Sequence, residues 1–402
     1  MPSGPSVAQR LRRLTPWLLL GLVVAVAGCS GTAAEYPQST LHPRGDFARL
    51  TDELFTTTVR WALLVFVLVE GALLYAMFRF RGKPTDAEPE QVHGNTTVEI
   101  IWTIIPALIL AMIAVPTVKA IFKTNEIPGK DALTIEVVGH QWWWEFRYPE
   151  YNITTANELH VPVGRTVSLR MGAADVIHSF WVPQFAGKRD VFPNRETRIW
   201  FKAEEAGNYP GQCAEFCGIQ HGKMAFRVIA QNPQEFDGWV QHMGTLAAQP
   251  APAQTSGAAP AESVKTTSAG ATVAAQGAQG QSEGPSRAPE ASKAAAADTA
   301  KAAAQPPGDP LVAQGEKLFA AKGCVGCHSL VAVNPPKGLL GPNLANVGAR
   351  TWIAAGTLEN TDANLAKWIR NPQEWKQGVL MPNLGVTEDE AKALVAYLRT
   401  HR

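Results

Sequence analysis

Two short stretches of this chain concentrate residue types that bind metals. Cys213-Ala-Glu-Phe-Cys217-Gly-Ile-Gln-His221-Gly-Lys-Met224 places two thiols, an imidazole and a thioether within twelve residues. Such a set selects copper or, less well, zinc. A mononuclear blue-copper loop uses one Cys, one His and a weak Met, with a second His from an earlier strand. The second thiol changes that chemistry. Two thiolates can bridge two metal ions, leaving one imidazole for each, with Met224 and a backbone carbonyl as weak terminal ligands. The other imidazole must come from elsewhere: His178, in Asp175-Val-Ile-His178-Ser-Phe-Trp-Val, ends a predicted strand, and His140 and His160 are its rivals. A Cys213–Cys217 disulfide in an oxidising compartment is the alternative reading.

Cys324-Val-Gly-Cys327-His328 is the pattern of covalent c-type haem attachment. Two thiols three apart add to the two vinyl groups, and the adjacent imidazole takes one axial position. The sixth ligand is expected to be Met381, the only methionine after His328, with His401 as a competitor near the chain end. A Met/His pair gives a comparatively high haem potential. Both sites are one-electron carriers, and the sequence shows neither an obvious activated nucleophile nor a phosphate loop. The reading is a relay.

The rest of the sequence must position these sites. On 402 residues, 36 Lys+Arg against 35 Asp+Glu leave a net charge of +1, which argues against nucleic acid as a partner. Arg10, Arg12 and Arg13, the apolar run Trp17–Ala27 and Gly28-Cys29-Ser30 describe an export signal over residues 1–28. Val26-Ala27-Gly28-Cys29 also resembles a bacterial lipobox. An exported segment, 29–58, is followed by a transmembrane hairpin, 59–122, built from the apolar runs Val59–Phe80 and Val98–Phe122. Arg79, Arg81 and Lys83 mark the intervening loop as cytoplasmic, so everything after Phe122 lies outside the cytoplasm. Glu70 within the first span and Glu99 at the mouth of the second are functional candidates, since carboxylates at membrane depth are costly.

Short alternating runs punctuated by Gly, Pro and Asn predict a β-sandwich within residues 123–244: Leu133–Val138, Trp142–Tyr148, Thr166–Met171, Thr197–Phe201 and Ala225–Ile229. Alternation sets Trp142 and Trp144 on one face and Trp143 on the other. Residues 245–307 are dominated by Ala, Gly, Ser, Pro and Gln without an aromatic, and read as a flexible linker. At random-coil scaling its roughly 60 residues would span on the order of 40 Å, holding the haem-binding segment at high local concentration over the copper loop. Residues 308–402 predict a small α domain, with helices at Leu311–Ala321 and Asn364–Arg370 and a third opened by the capping box Thr387-Glu-Asp-Glu390.

Together these motifs resemble subunit II of the haem-copper cytochrome c oxidases of the caa3 type, which carry a fused C-terminal cytochrome c domain. The resemblance implies a cupredoxin-like sandwich and a class I cytochrome c, the latter supported by Gly341-Pro-Asn-Leu344 and Tyr397. It implies a dinuclear copper A centre held by His178, Cys213, the carbonyl of Glu215, Cys217, His221 and Met224, and haem c held by Cys324, Cys327, His328 and Met381. The Glu215 side chain would also hold magnesium at the contact with subunit I. Glu99, in Val98-Glu-Ile-Ile-Trp-Thr-Ile-Ile-Pro106, matches a glutamate at the entrance of a proton path. Trp142, in Gly139-His-Gln-Trp142-Trp-Trp-Glu-Phe146, matches an exposed tryptophan that receives electrons near copper.

The implied partners are subunit I, subunit III, membrane lipid, and cytochrome c or a cytochrome bc1 complex as donor. The implied place is the bacterial inner membrane, copper and haem facing outward. The implied reaction is reduction of dioxygen to water with proton translocation. The copper subunit of a nitric oxide reductase is the alternative. One departure stands out: Glu145-Phe-Arg147-Tyr-Pro-Glu-Tyr is thinner in acids than the family run that docks a strongly basic donor.

Overall fold

A computed structural model describes residues 16, 21, 36–82, 91, 94–246, 309–336 and 340–402. Cys29, Lys83 and nearly all of the export signal and of the proposed linker lie outside the described residues.

The two apolar runs form helices α1 (Asp46–Arg79) and α2 (Thr96–Thr124), packed on one another and long and apolar enough to cross a membrane. Helix α1 starts well before the expected Val59. Its 34 residues rise about 51 Å, against a bilayer core of about 30 Å. The surplus belongs to the sandwich: Phe47 and Ala48 are buried, and the Phe47 ring meets Trp200 edge-on at 5.7 Å. Asp46 Oδ1 accepts the Lys202 amide at 2.9 Å, and the Ala48 amide donates to Phe185 O at 3.0 Å. One helix thus runs unbroken from the folded domain into the apolar span. Helix α2 opens with a reciprocal cap, Asn95 Oδ1 accepting from Val98 N and Glu99 Oε1 accepting from Asn95 N, each at 3.2 Å. It continues through Pro106 and Pro116.

Ten strands come next: β1 (Leu133–His140), β2 (Trp143–Tyr148), β3 (Ile153–Ala156), β4 (Glu158–Pro162), β5 (Thr166–Ala173), β6 (His178–Trp181), β7 (Arg189–Val191), β8 (Thr197–Lys202), β9 (Gly207–Cys213) and β10 (Ala225–Gln231). They make two five-stranded sheets, β3-β2-β1-β5-β8 and β4-β10-β9-β6-β7. Alternation drives Leu133, Ile135 and Val137 of β1, and Trp144, Phe146 and Tyr148 of β2, inward. Trp144 sits edge-on to Phe180 at 5.6 Å and to Phe226 at 5.5 Å, joining the two sheets. A Cβ on Gly211 would lie 2.3 Å from the Phe226 ring, so only glycine lets that ring cross β9. Helix α3 (Pro233–Thr245) closes the sandwich from a capping box of Asn232 and Glu235.

The C-terminal domain holds α4 (Pro310–Ala321), α5 (Asp362–Arg370), the single turn α6 (Pro372–Trp375) and α7 (Glu388–Arg399). Thr387 and Glu390 form the expected capping box. Helices α4 and α7 cross at Gly315, where a Cβ would lie 2.0 Å from Ala393 O, and Phe319 packs on Tyr397 beside the crossing. His401 is not at a frayed end. It is 5 % exposed, its carbonyl accepts the Gly348 amide at 2.7 Å, and its ring meets Tyr397 edge-on.

This domain is seated directly on the sandwich. Glu158 Oε1 accepts both Thr351 N and Thr351 Oγ1 at 2.9 Å, the Ala225 amide donates to Ala355 O at 3.0 Å, and the Thr154 amide donates to Ala332 O at 2.9 Å. Trp143 packs with Ala156 of its own domain and Ala355 of the other.

Candidate metal centre

Cys213 ends β9, and the chain then turns through Cys217 and a 3-10 turn, His221–Lys223, before β10 begins after Met224. Strand β6 lies beside β9, with Phe180 paired to Cys213, so His178 at the start of β6 reaches the same end of the sheet. A Cβ on Gly139 would lie 2.8 Å from the His178 ring, so glycine in β1 leaves room for that imidazole. The fold thereby gathers the sequence-predicted set. Cys213 Sγ is 3.7 Å from Cys217 Sγ, 3.9 Å from His178 Nδ1 and 3.3 Å from Glu215 O. Cys217 Sγ is 3.7 Å from His221 Nδ1 and 3.8 Å from Met224 Sδ. The ligand atoms of His178, Cys213 and Cys217 all lie within 4.8 Å of one another.

These distances decide between the readings. A disulfide needs about 2.05 Å between sulfurs, and both thiols are free. His140 is engaged elsewhere, bonded to Glu145 at 3.0 Å and stacked on Trp143. His160 bonds Gln231 and stacks on Trp239. Two sulfurs flanked by one imidazole each, with a thioether and a carbonyl at the ends, fit a pair of soft metal ions. Glu215 is exposed, as is the neighbouring Phe216, at 75 %.

The electrostatics favour a cation between the sulfurs. The Cys217 thiol donates to Cys213 and holds its pKa down to about 3, while that same bond and then burial push Cys217 up. One negative charge forms readily, and the second calls for a bound cation. Burial disfavours a charged His178, yet its bonds to Asp175 and Cys213 outweigh this and hold its pKa above the ordinary imidazole value. Asp175 Oδ1 meets His178 Nε2 at 2.8 Å, which leaves Nδ1 aimed at sulfur. Sequence reasoning passed over Asp175 as a functional residue, although an acid three positions before a candidate ligand is a usable signal. Asp175→Asn is expected to weaken copper retention by about 10- to 100-fold, read by competition with a chelator. Unchanged retention would mean that packing alone fixes the ring.

Trp142 departs from expectation. Rather than standing exposed, it is 8 % exposed, just ahead of β2, with its indole Nε1 donating to Cys217 O at 2.9 Å. Gly218, at φ 114°, accommodates it, since a Cβ there would lie 2.9 Å from the indole. The carbonyl of Trp142 accepts Lys376 Nζ of the C-terminal domain at 3.0 Å. Burial first, and then the charge of Lys223, draw Lys376 down to about 7. No sequence signal marks this contact, because its acceptors are backbone carbonyls.

In the C-terminal domain His328 Nδ1 donates to Pro342 O at 2.8 Å, which fixes the tautomer with Nε2 unprotonated and able to bind iron. Burial keeps the ring neutral, as a ligand must be. A Cβ on Gly341 would lie 2.6 Å from the His328 ring, so glycine is required against that face. Cys324 and Cys327 are free and half-buried, consistent with thiols left for covalent attachment. Met381 is half-buried on a loop held by Gln373, whose Nε2 donates to Met381 O at 2.9 Å and to Val379 O at 2.8 Å. Glu99 is exposed and caps α2, and Glu70 lies half-buried in α1.

Comparisons with known proteins agree with this arrangement. Residues 46–120 match the transmembrane domain of cytochrome c oxidase subunit II, residues 152–231 its periplasmic domain, and residues 312–402 the cytochrome c family. Cytochrome c oxidase subunit 2 of Alkalihalophilus pseudofirmus is 33% identical over 386 residues, covering 94% of each chain. The protein of that name from Bacillus sp. strain PS3 is 30% identical over 408 residues, covering 96% of this chain and 97% of the other. The crystal structure of the periplasmic domain of the Bradyrhizobium japonicum subunit II is 33% identical, over 29% of this chain and 96% of that one, with a TM-score of 0.28. With its membrane hairpin, its sandwich and its cytochrome c domain all matched, the chain belongs to the family of cytochrome c oxidase subunit II.

Proposed function

We propose that this subunit receives electrons on a haem c held by Cys324, Cys327, His328 and Met381 and delivers them through a copper A pair to subunit I of a terminal oxidase. The copper ligands in this reading are His178, Cys213, the Glu215 carbonyl, Cys217, His221 and Met224. The two groups would supply one-electron chemistry, which would carry electrons from haem to copper and on to a catalytic subunit that reduces dioxygen to water. One observation supports a direct passage between the two sites: the stretch leading to Met381 bonds the copper-ligand loop. Gln220 Nε2 donates to Gln377 O at 2.6 Å, and Lys376 Nζ donates to Lys223 O at 2.8 Å.

The protein's own residues do the positioning. Asp175 orients His178, Pro342 O orients His328, and the Trp142 indole covers the Cys217 side of the centre and helps exclude water from it. Buried against the Cys217 loop and bonded through its carbonyl to Lys376 of the C-terminal domain, Trp142 serves passage from this chain's own haem rather than contact with a separate donor. In this reading the exposed Glu215 side chain holds magnesium against subunit I, and Glu99 feeds protons at the cytoplasmic end of α2. Subunit III, a cytochrome c or cytochrome bc1 donor, and a bacterial inner membrane with both redox domains on its outer side complete the reading.

The test is time-resolved absorbance on the purified complex after rapid reduction. Haem reduction is expected to precede copper reduction, with dioxygen as the terminal acceptor. Copper reduced ahead of haem would reverse the proposed order, and turnover with nitric oxide in place of dioxygen would assign the complex to the other class.

A further inference from the structure

Lys376 is the most unusual charged residue in the described chain. It is 2 % exposed, and no carboxylate accompanies it. Its ammonium donates to three carbonyls: Trp142 O at 3.0 Å, Lys223 O at 2.8 Å and Ala354 O at 3.4 Å. Three N–H groups thus meet three acceptors, which is the full capacity of a lysine. Burying such a group is expensive even when it is bonded, and an apolar side chain of similar volume is commonly as stable or more so. Stability alone therefore does not explain a lysine here.

The identity of the acceptors does. Two of them belong to the sandwich and adjoin the copper set: Lys223 precedes Met224, and the indole of Trp142 bonds the Cys217 carbonyl. The third belongs to the C-terminal domain itself. Lys376 also stands five residues before Met381, at the end of α6, on the loop that Gln373 braces through Gly378 N, Val379 O and Met381 O. Around it Gln220 reaches Gln377 O, and Lys223 Nζ reaches Trp375 O. Gly378, at φ 81°, lies against the Ile219 side chain of the copper-ligand loop.

We propose that Lys376 is a positioning residue that pins the Met381 loop to the copper-ligand loop and so fixes the haem-to-copper geometry within one chain. The proposal rests on the relay described above. Transfer across the pinned contact moves one electron, oxidising the haem and reducing the copper pair, with no bond made or broken. Because the pin is buried and made of carbonyl bonds, salt does not loosen it, in contrast to docking through exposed charges.

The experiment uses the full complex carrying Lys376→Met, with Lys376→Gln as a second variant that is neutral but polar. Haem-to-copper transfer is expected to slow at least about tenfold in both, while the haem and copper absorbance and potentials stay as in the wild type. Hydrogen exchange gives a readout independent of turnover: the Ala225 amide, bonded across the contact to Ala355 O, is expected to lose protection. Wild-type transfer is expected to hold the same rate from low to high salt, a measurement that needs no variant. Unchanged transfer and unchanged Ala225 protection in the variants would overturn the pin, as would a wild-type rate that falls steeply with salt. A wild-type complex loaded with both centres but showing no transfer between them would instead bring down the relay itself.

Discussion

Replacing Cys217 by Ser is expected to abolish the near-infrared band of a mixed-valence copper pair and to leave the haem absorbance intact. Cys217 Sγ lies at the centre of the loop's own part of the set, standing 3.7 Å from Cys213 Sγ, 3.7 Å from His221 Nδ1 and 3.8 Å from Met224 Sδ. A serine hydroxyl is a hard donor that stays protonated, so it neither selects copper nor bridges two ions. What remains is one thiol, the imidazoles of His178 and His221 and the Met224 thioether, the makings of a single-ion site. Copper content is therefore expected to fall from two ions to one or fewer. Electron delivery to subunit I is expected to drop by about a hundredfold or more, beyond the cost of losing an outer-shell partner. The haem domain has its own hydrophobic core and is spared. Elemental analysis and absorbance spectroscopy on the same sample check both halves, and two coppers with an unaltered spectrum in the variant would remove Cys217 from its bridging role.

The candidate copper loop is legible in the sequence because four of its potential ligand side chains share one short segment, where spacing alone limits the geometry. The sequence could not choose among His140, His160 and His178. That choice depends on β6 lying beside β9 and on which rings are already engaged by Glu145 and Gln231. The start of α1 was hidden for a related reason. Hydropathy finds only the span that crosses lipid, whereas Asp46–Phe47–Ala48 are helical because they pack on the sandwich. Trp142 stands just outside β2, so alternation gives no hint that its indole turns in to the Cys217 carbonyl while its own carbonyl takes Lys376 of the second domain. Lys376 was illegible in a deeper sense. Its partners come from three separated segments and are main-chain oxygens, which every residue carries, so no pattern of side chains encodes the contact.

Met381→Ala separates the haem's own chemistry from its docking. The structure weighs against His401 as the sixth ligand. Its ring packs on Tyr397 with centroids 4.8 Å apart, its Nδ1 lies 3.2 Å from Tyr397 O, and its carbonyl anchors Gly348. Swinging it to iron would dismantle the end of α7, whereas Met381 sits half-buried on a loop already braced by Gln373. A thioether opposite histidine favours the reduced iron and raises the potential, so its removal lowers it. Axial ligands move haem potentials across roughly 0.8 V, and a fall of about 0.12 V already shifts a one-electron equilibrium a hundredfold. A fall of at least that size is expected in a redox titration of the variant. The kinetic consequence has opposite signs on the two sides of the haem. Uptake from a high-potential donor becomes uphill and slows, while the driving force onward to copper grows and internal transfer does not slow. That is the reverse of the pattern expected when Lys376 is lost, where the potential holds and internal transfer falls. An unaltered potential in Met381→Ala would hand the axial position to another residue. A lowered potential accompanied by slower internal transfer would show that Met381 also helps hold the two loops together.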